Sequence, residues 1–156
     1  METCLTFELI EMCATVLTAL TAVISVPVIL VQYAKSKKQK RAEFILQLHH
    51  MFINDKDMME MFYKIEYGDF KYDAKMHMSL EEQKLDKLLG HFNNICRLYE
   101  MNVIEDKDFE IFRYEISRVA QNKEVRKYFD FLDYWFNDMK IPGTKYQEIR
   151  RINILN

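Results

Sequence analysis

The sequence predicts an all-α protein in which one N-terminal transmembrane helix continues into a small cytosolic helical bundle. Two observations carry this. Residues 12–31, MCATVLTALTAVISVPVILV, form a run of twenty without a single charge. Beyond them, apolar residues recur at three- and four-residue spacings, and no segment alternates as a half-buried strand does. Three glycines and two prolines in 156 residues exclude collagen-like and low-complexity classes. An apolar content of 49% excludes global disorder, and a net charge of −2 argues against a general nucleic-acid binder. The mean hydropathy of −0.26 reads as an ordinary soluble chain only because it averages two unlike segments.

Twenty helical residues at ~1.5 Å each match the ~30 Å hydrocarbon core of a bilayer. Fifteen of the twenty are apolar, and the others are Thr15, Thr18, Thr21, Ser25 and Pro27. A cleaved signal peptide needs a basic start and a small-residue cleavage site, whereas this segment is preceded by Glu2, Glu8 and Glu11 and followed by KSKKQKR. The residues before Met12 carry −3 and residues 35–41 carry +5, through Lys35, Lys37, Lys38, Lys40 and Arg41. This asymmetry places the N-terminus outside and the C-terminus in the cytoplasm. The expected organisation is an extracytoplasmic N-terminus over 1–11, a transmembrane helix over 12–33, a basic stalk helix over 34–53 and a cytosolic helical domain over 54–156. That last domain is mildly acidic and large enough for its own core. Cys4, Cys13 and Cys96 then fall in three compartments, so no intrachain disulfide is expected.

Alternating steps of three and four from Glu8 pick out Glu8, Glu11, Thr15, Thr18, Ala22, Ser25, Ile29 and Gln32, of which seven are charged, polar or small. Three readings fit this stripe. A lone anchor satisfies its hydroxyls on its own i−4 carbonyls. A self-associating helix uses the small and hydroxylated seam for close approach. In a pore built from several copies, Glu8 and Glu11 form acidic rings favouring cations, while Thr15, Thr18, Ala22 and Ser25 line the middle. Ile29 then makes the constriction, with Pro27 beside it as a hinge. A dimer has too few helices to enclose a path; four or five copies are needed.

The stalk helix is expected to carry Ile45, Leu48 and Phe52 on one face and to break at Asn54-Asp55, where Asp55 caps a short helix bearing Met58, Met59, Met61 and Phe62. YGDFKYDAKMHM reads as a loop around Gly68. Ser79 and Glu82 form a capping box opening a helix with Leu85, Leu88, Leu89, Phe92, Ile95, Cys96 and Tyr99 on one side. After a turn at 101–105 comes a helix with Phe109, Phe112, Ile116 and Val119. Asn122 caps the next, which bears Val125, Tyr128, Phe129, Leu132, Trp135 and Phe136. Pro142-Gly143 ends it, and a short tail element follows.

Catalytic signals are missing from this pattern. His49 and His50 are adjacent and point ~100° apart on a helix, and no C-x-x-C or H-E-x-x-H spacing exists, so no metal site is expected. Cys96 sits on an apolar face, as a structural thiol does. No phosphate-cradling glycine loop is present, and neither an enzymatic activity nor a cofactor is expected. Arg113, Arg118, Lys123, Arg126 and Lys127 cluster in sequence around one helix junction; they are candidates for an anionic ligand, or else a solvated face with pairs such as Glu124–Lys127. Met58, Met61 and Phe62 are either core or a contact surface for a partner.

The one-pass helix, the basic stretch ending at Arg41 and the following A-E-F-I-L-Q-L resemble a bacterial family of small one-pass membrane proteins with a helical cytosolic domain. LLGHFNNICRLYEMNVIEDKDF (88–109) and ISRVAQNKEVRKYF (116–129) are similar to its later helices, with Asn94 and Asn102 standing where an acidic residue and a glycine are usual. The layout is also similar to membrane effectors of anti-phage defence, the tetrameric Hailong effector and a CRISPR-associated one, whose cytosolic domains sense oligonucleotides. This resemblance implies a homotetrameric effector of the bacterial inner membrane: a cation-permeable pore controlled by a nucleotide or oligonucleotide bound to the cytosolic domain. The alternative is a non-conducting anchored adaptor that recruits a cytosolic protein through its Met- and aromatic-rich face.

Overall fold

The computed structural model describes residues 2–152, without the side chains of residues 2–10, 13, 19, 20, 22 and 24. All regular structure among them is helical. The elements are α1 (Glu2–Ile53), α2 (Lys56–Glu66), a 3-10 turn (Ala74–Met76), α3 (Leu80–Glu100), α4 (Asp106–Gln121), α5 (Lys123–Asp138) and α6 (Gln147–Ile152). The chain divides into two units between Phe44 and Ile45.

In the first unit, every described side chain from Glu11 to Lys40 is exposed. Pro27 lies inside the helix. Among the described residues no helix is long and apolar enough to cross a membrane. Within residues 12–31 the side chains of Cys13, Ala19, Leu20, Ala22 and Ile24 lie outside that description.

The second unit is a bundle whose helices start and stop at the signals in the sequence. Asp55 accepts hydrogen bonds from the backbone N–H groups of Asp57 and Met58. Ser79 accepts from Glu82 N at 3.2 Å, and Asn122 from Glu124 N and Val125 N at 2.9 and 3.2 Å. Each satisfies N–H groups that a helix start otherwise leaves without partners. At α4, Asp108 accepts from the N–H of Glu105. Asn102 has φ 56; asparagine is among the few non-glycine residues that adopt this left-handed conformation readily.

Each helix buries the face its spacing predicts. The core takes Met58, Met61, Phe62 and Ile65 from α2, and Leu85, Leu88, Leu89, Phe92, Ile95 and Cys96 from α3. α4 adds Phe109, Phe112, Ile116, Val119 and Ala120, and α5 adds Val125, Tyr128, Phe129 and Leu132. Among the described residues of α1 only Ile45 and Phe52 are buried, and the Phe52 ring packs edge-on against Phe62 at 5.6 Å. Two outcomes differ from expectation. The segment read as the least regular, 67–78, sends Phe70 and Met76 into the core. Trp135, expected on the apolar side of α5, is exposed in that helix's last turn.

Candidate functional site

Three groups of residues bear on function: the stripe of α1, the basic residues of α4 and α5, and a polar cluster inside the bundle. On the stripe, Glu11, Thr15, Thr18, Ser25 and Ile29 are all exposed; the side chains of Glu8 and Ala22 lie outside the described residues. Thr15 Oγ1 donates to Glu11 O at 2.9 Å and Thr18 Oγ1 to Ala14 O at 2.8 Å, while Thr21 Oγ1 donates to Leu17 O at 2.7 Å. These hydroxyl protons are therefore satisfied within the helix. Their oxygens retain lone pairs that accept from water or a neighbouring helix.

The five basic candidates do not converge on a common acceptor. Arg118 Nε donates to Glu66 Oε2 at 2.7 Å and its guanidinium also reaches Glu66 O, tying α4 to the end of α2. Arg118 and the Tyr114 hydroxyl, the latter contributing most, hold the Glu66 carboxyl below its usual range. Arg113 pairs with Glu110 at 2.7 Å and lies 5.5 Å from the Phe109 ring centre. Lys127 pairs with Glu124 at 2.9 Å, the pairing its spacing predicts. Arg126 donates to Ala120 O at 3.4 Å. Arg126 and Lys123 are exposed, and among the described residues neither has a carboxylate partner.

The polar cluster was missed by sequence reasoning. It joins the 67–79 loop, α3, α5 and the residues before α6. His77 Nδ1 lies 2.9 Å from Glu82 Oε1 and its Nε2 lies 3.0 Å from the Tyr72 hydroxyl. The imidazole stacks on Phe131 with ring centres 3.8 Å apart. Glu82 also accepts from Met78 N at 2.7 Å and lies 3.1 Å from the Tyr128 hydroxyl, whose single proton it shares with Asp86. Burial pushes the Glu82 carboxyl up, but His77, the Met78 N–H and Tyr128 together hold it below its ordinary value. The bond to Met78 offsets that residue's left-handed φ of 66. One turn on, Asp86 accepts from the Tyr146 and Tyr128 hydroxyls at 2.6 and 2.8 Å and from Lys145 at 2.8 Å. Burial drives both phenol pKa values upward, with Asp86 adding to the effect, so neither serves as a nucleophile near neutral pH. Glu82 was legible in advance only as a capping residue. Its partners come from 4 to 46 residues away, and no local pattern marks them.

Both His77 nitrogens are occupied, and burial lowers the pKa of His91, whose buried Nε2 has no hydrogen-bond partner among the described residues. Cys96 is buried and its thiol pKa is pushed far up by that burial, which suppresses the thiolate that nucleophilic chemistry needs. Among the described residues no three His, Cys, Asp or Glu side chains are grouped to hold a metal ion. The cluster's chemistry is that of a hydrogen-bonded clamp. Of the two readings open for Met58, Met61 and Phe62, the structure bears out the core: all three are buried, because α2 turns this face onto α3, and so they form no partner surface. No protein family, curated protein or solved structure matches the chain.

Proposed function

We propose that the chain is a single-pass protein of the bacterial inner membrane, N-terminus outside, whose membrane helix assembles four copies around a cation-permeable path. The observation that carries this reading is the surface of α1. Nine large apolar side chains between Met12 and Val31 are 48–70% exposed. At ~1.5–3 kcal/mol for each fully buried side chain, leaving them in water costs on the order of 10 kcal/mol, comparable to the whole stability of a domain. Lipid or other helices remove that cost. The uncharged run is long enough to span a bilayer, and the +5 tract that follows it supports the orientation.

The polar stripe supports assembly around an axis. Threonine hydroxyls already satisfied within the helix enter a low-dielectric environment at little cost, and their free lone pairs suit a wet lining. Glu11 sits at the outer mouth and Ile29 near the cytoplasmic end. Control falls to the cytosolic bundle, where an anionic nucleotide-type signal binds at Lys123 and Arg126, the two candidates with no carboxylate partner among the described residues. A ligand that prefers one arrangement of the bundles then biases the path between open and closed. The layout resembles that of oligonucleotide-responsive membrane effectors, and a role in anti-phage defence is part of this reading. The adaptor reading loses its main support, because its Met- and aromatic-rich face is interior.

Purified full-length protein in planar bilayers tests the proposal. It expects cation-selective currents that change on adding oligoadenylates and lose selectivity in Glu11→Gln, together with a four-copy species in detergent. A monomer in detergent, or silent bilayers with and without oligonucleotide, overturns it.

A further inference from the structure

The stripe of α1 does not end at the membrane surface. Continuing the three–four alternation past Gln32 selects Ser36, Gln39, Glu43, Leu46, His50 and Ile53. Five of the seven residues from Lys35 to Arg41 are basic, and the two that are not, Ser36 and Gln39, are the two that fall on this register. No other heptad register crosses the tract without meeting a lysine or arginine. All six residues are exposed. In the bundle, Ile45 and Phe52 are 3% exposed, whereas their neighbours Leu46 and Ile53, both on the register, are 54% and 41% exposed. The bundle thus covers one side of this part of α1 and leaves the register side open. Gln39 Nε2 donates to Glu43 Oε1 at 2.9 Å along the same line.

We infer that this face is a parallel coiled-coil seam: its occupant is the same face of a second copy of the chain, running from the membrane stripe through the basic tract to Ile53. The inference rests on the membrane reading above and extends its assembly into the stalk. Three arguments select a second copy over other occupants. A strict 3.5-residue repeat drifts around a straight helix by ~20° per heptad and stays on one line only when helices supercoil about each other. Lipid headgroups, which surround a helix on all sides, impose no such exclusion of lysine from one line. An acidic partner would favour lysines on its contact line, whereas a like-charged copy keeps them off it; Glu43, the one carboxylate on the continued register, is held by Gln39 of its own helix. A shared membrane also holds all copies parallel and at one depth, so Ser36 meets Ser36 and Gln39 meets Gln39, as a polar residue that sets register does in a coiled coil. Lys35 and Lys40 border the seam, where their long stems carry the charge outward.

Site-specific cross-linking decides this. The full chain with Cys4→Ser and Cys13→Ala, retaining buried Cys96, receives single cysteines at Ser36, Gln39 or Leu46 on the seam and at Lys37 or Lys38 off it. Each variant is reconstituted in vesicles of phosphatidylcholine and phosphatidylglycerol and oxidised with copper phenanthroline. Disulfides form only where Cβ atoms approach closely, so the seam variants should give about five-fold or more cross-linked dimer than the off-seam variants. All five residues are exposed, so none of these substitutions disturbs the core. Equal yields at all positions, a reversed preference, or no cross-link anywhere overturns the seam. Alkaline carbonate extraction of the same vesicles reports separately on the membrane reading. Protein that resists extraction without positional preference refutes the seam alone, and protein released by carbonate refutes the membrane reading.

Discussion

Replacing Asp86 with alanine measures how much the half-buried clamp contributes to the bundle. The carboxylate serves the Tyr146 hydroxyl at 2.6 Å, the Tyr128 hydroxyl at 2.8 Å and Lys145 at 2.8 Å. Without it, Tyr128 still reaches Glu82 at 3.1 Å, but buried Tyr146 keeps only the Asp86 carbonyl at 3.4 Å. A buried hydroxyl left without a partner costs about 1–3 kcal/mol, and weakening the second charge-assisted bond about 1 kcal/mol more. The Lys145 pair, a third exposed on both sides, adds at most about 1 kcal/mol. The expected loss is therefore about 3 kcal/mol. Tyr146→Phe alone removes the hydroxyl while Asp86 keeps two other donors, at a cost of about 1 kcal/mol. In the double variant the phenylalanine relieves the orphaned hydroxyl, so the cost stays near that of Asp86→Ala and the two changes couple by about 1 kcal/mol. Urea titration of the full chain in detergent, followed by the fluorescence of its single tryptophan, Trp135 on α5, reads both quantities. An Asp86→Ala variant within about 0.5 kcal/mol of the parent, the range of an ordinary surface change, refutes the clamp; so does strict additivity.

Three further outcomes are expected. Because the folded-state pKa values of Glu82 and His91 are both lowered, each adds stability above its unfolded value and loses it as pH falls toward the folded one. Unfolding titrations should therefore show stability declining below about pH 6.5 and again below about pH 4.5, with the lower step reduced in Glu82→Gln. Met58→Lys should unfold the bundle, at more than about 4 kcal/mol for an unpaired charge in the core; a folded variant with a near-parent circular dichroism spectrum would put this face back at the surface. Asn122→Ala removes the cap of α5 and should cost about 1 kcal/mol, visible as a lower urea midpoint with unchanged slope.

The boundaries of the helices were legible because their causes are local. Asp55, Ser79 and Asn122 cap by reaching backbone N–H groups two or three residues away, so the signal and its effect share one short window. The apolar run of 12–31, the +5 tract and the buried faces of α2 to α5 were equally open to inspection, since period and charge are read along the chain. Even the continuation of the stripe through Ser36 and Gln39 is written in the residue order; it became meaningful only once Leu46 and Ile53 were found exposed beside buried Ile45 and Phe52.

Partnerships across the fold were not legible. The sequence offered Arg118 as a ligand-binding cation, and packing gave it Glu66, 52 residues away. It offered Met58, Met61 and Phe62 as core or contact surface, and the packing of α2 on α3 made them core. The irregular 67–79 loop held its largest secret in His77, whose two ring nitrogens find Tyr72 and Glu82 while its face lies on Phe131. The physical reason is one of range. Periodicity, capping and charge runs are properties of a few consecutive residues, so the order of amino acids by itself determined an all-helical chain with an uncharged twenty-residue segment and a basic flank. Which carboxylate meets which cation or phenol depends on how helices distant in sequence are brought together. Only the tertiary structure decided that.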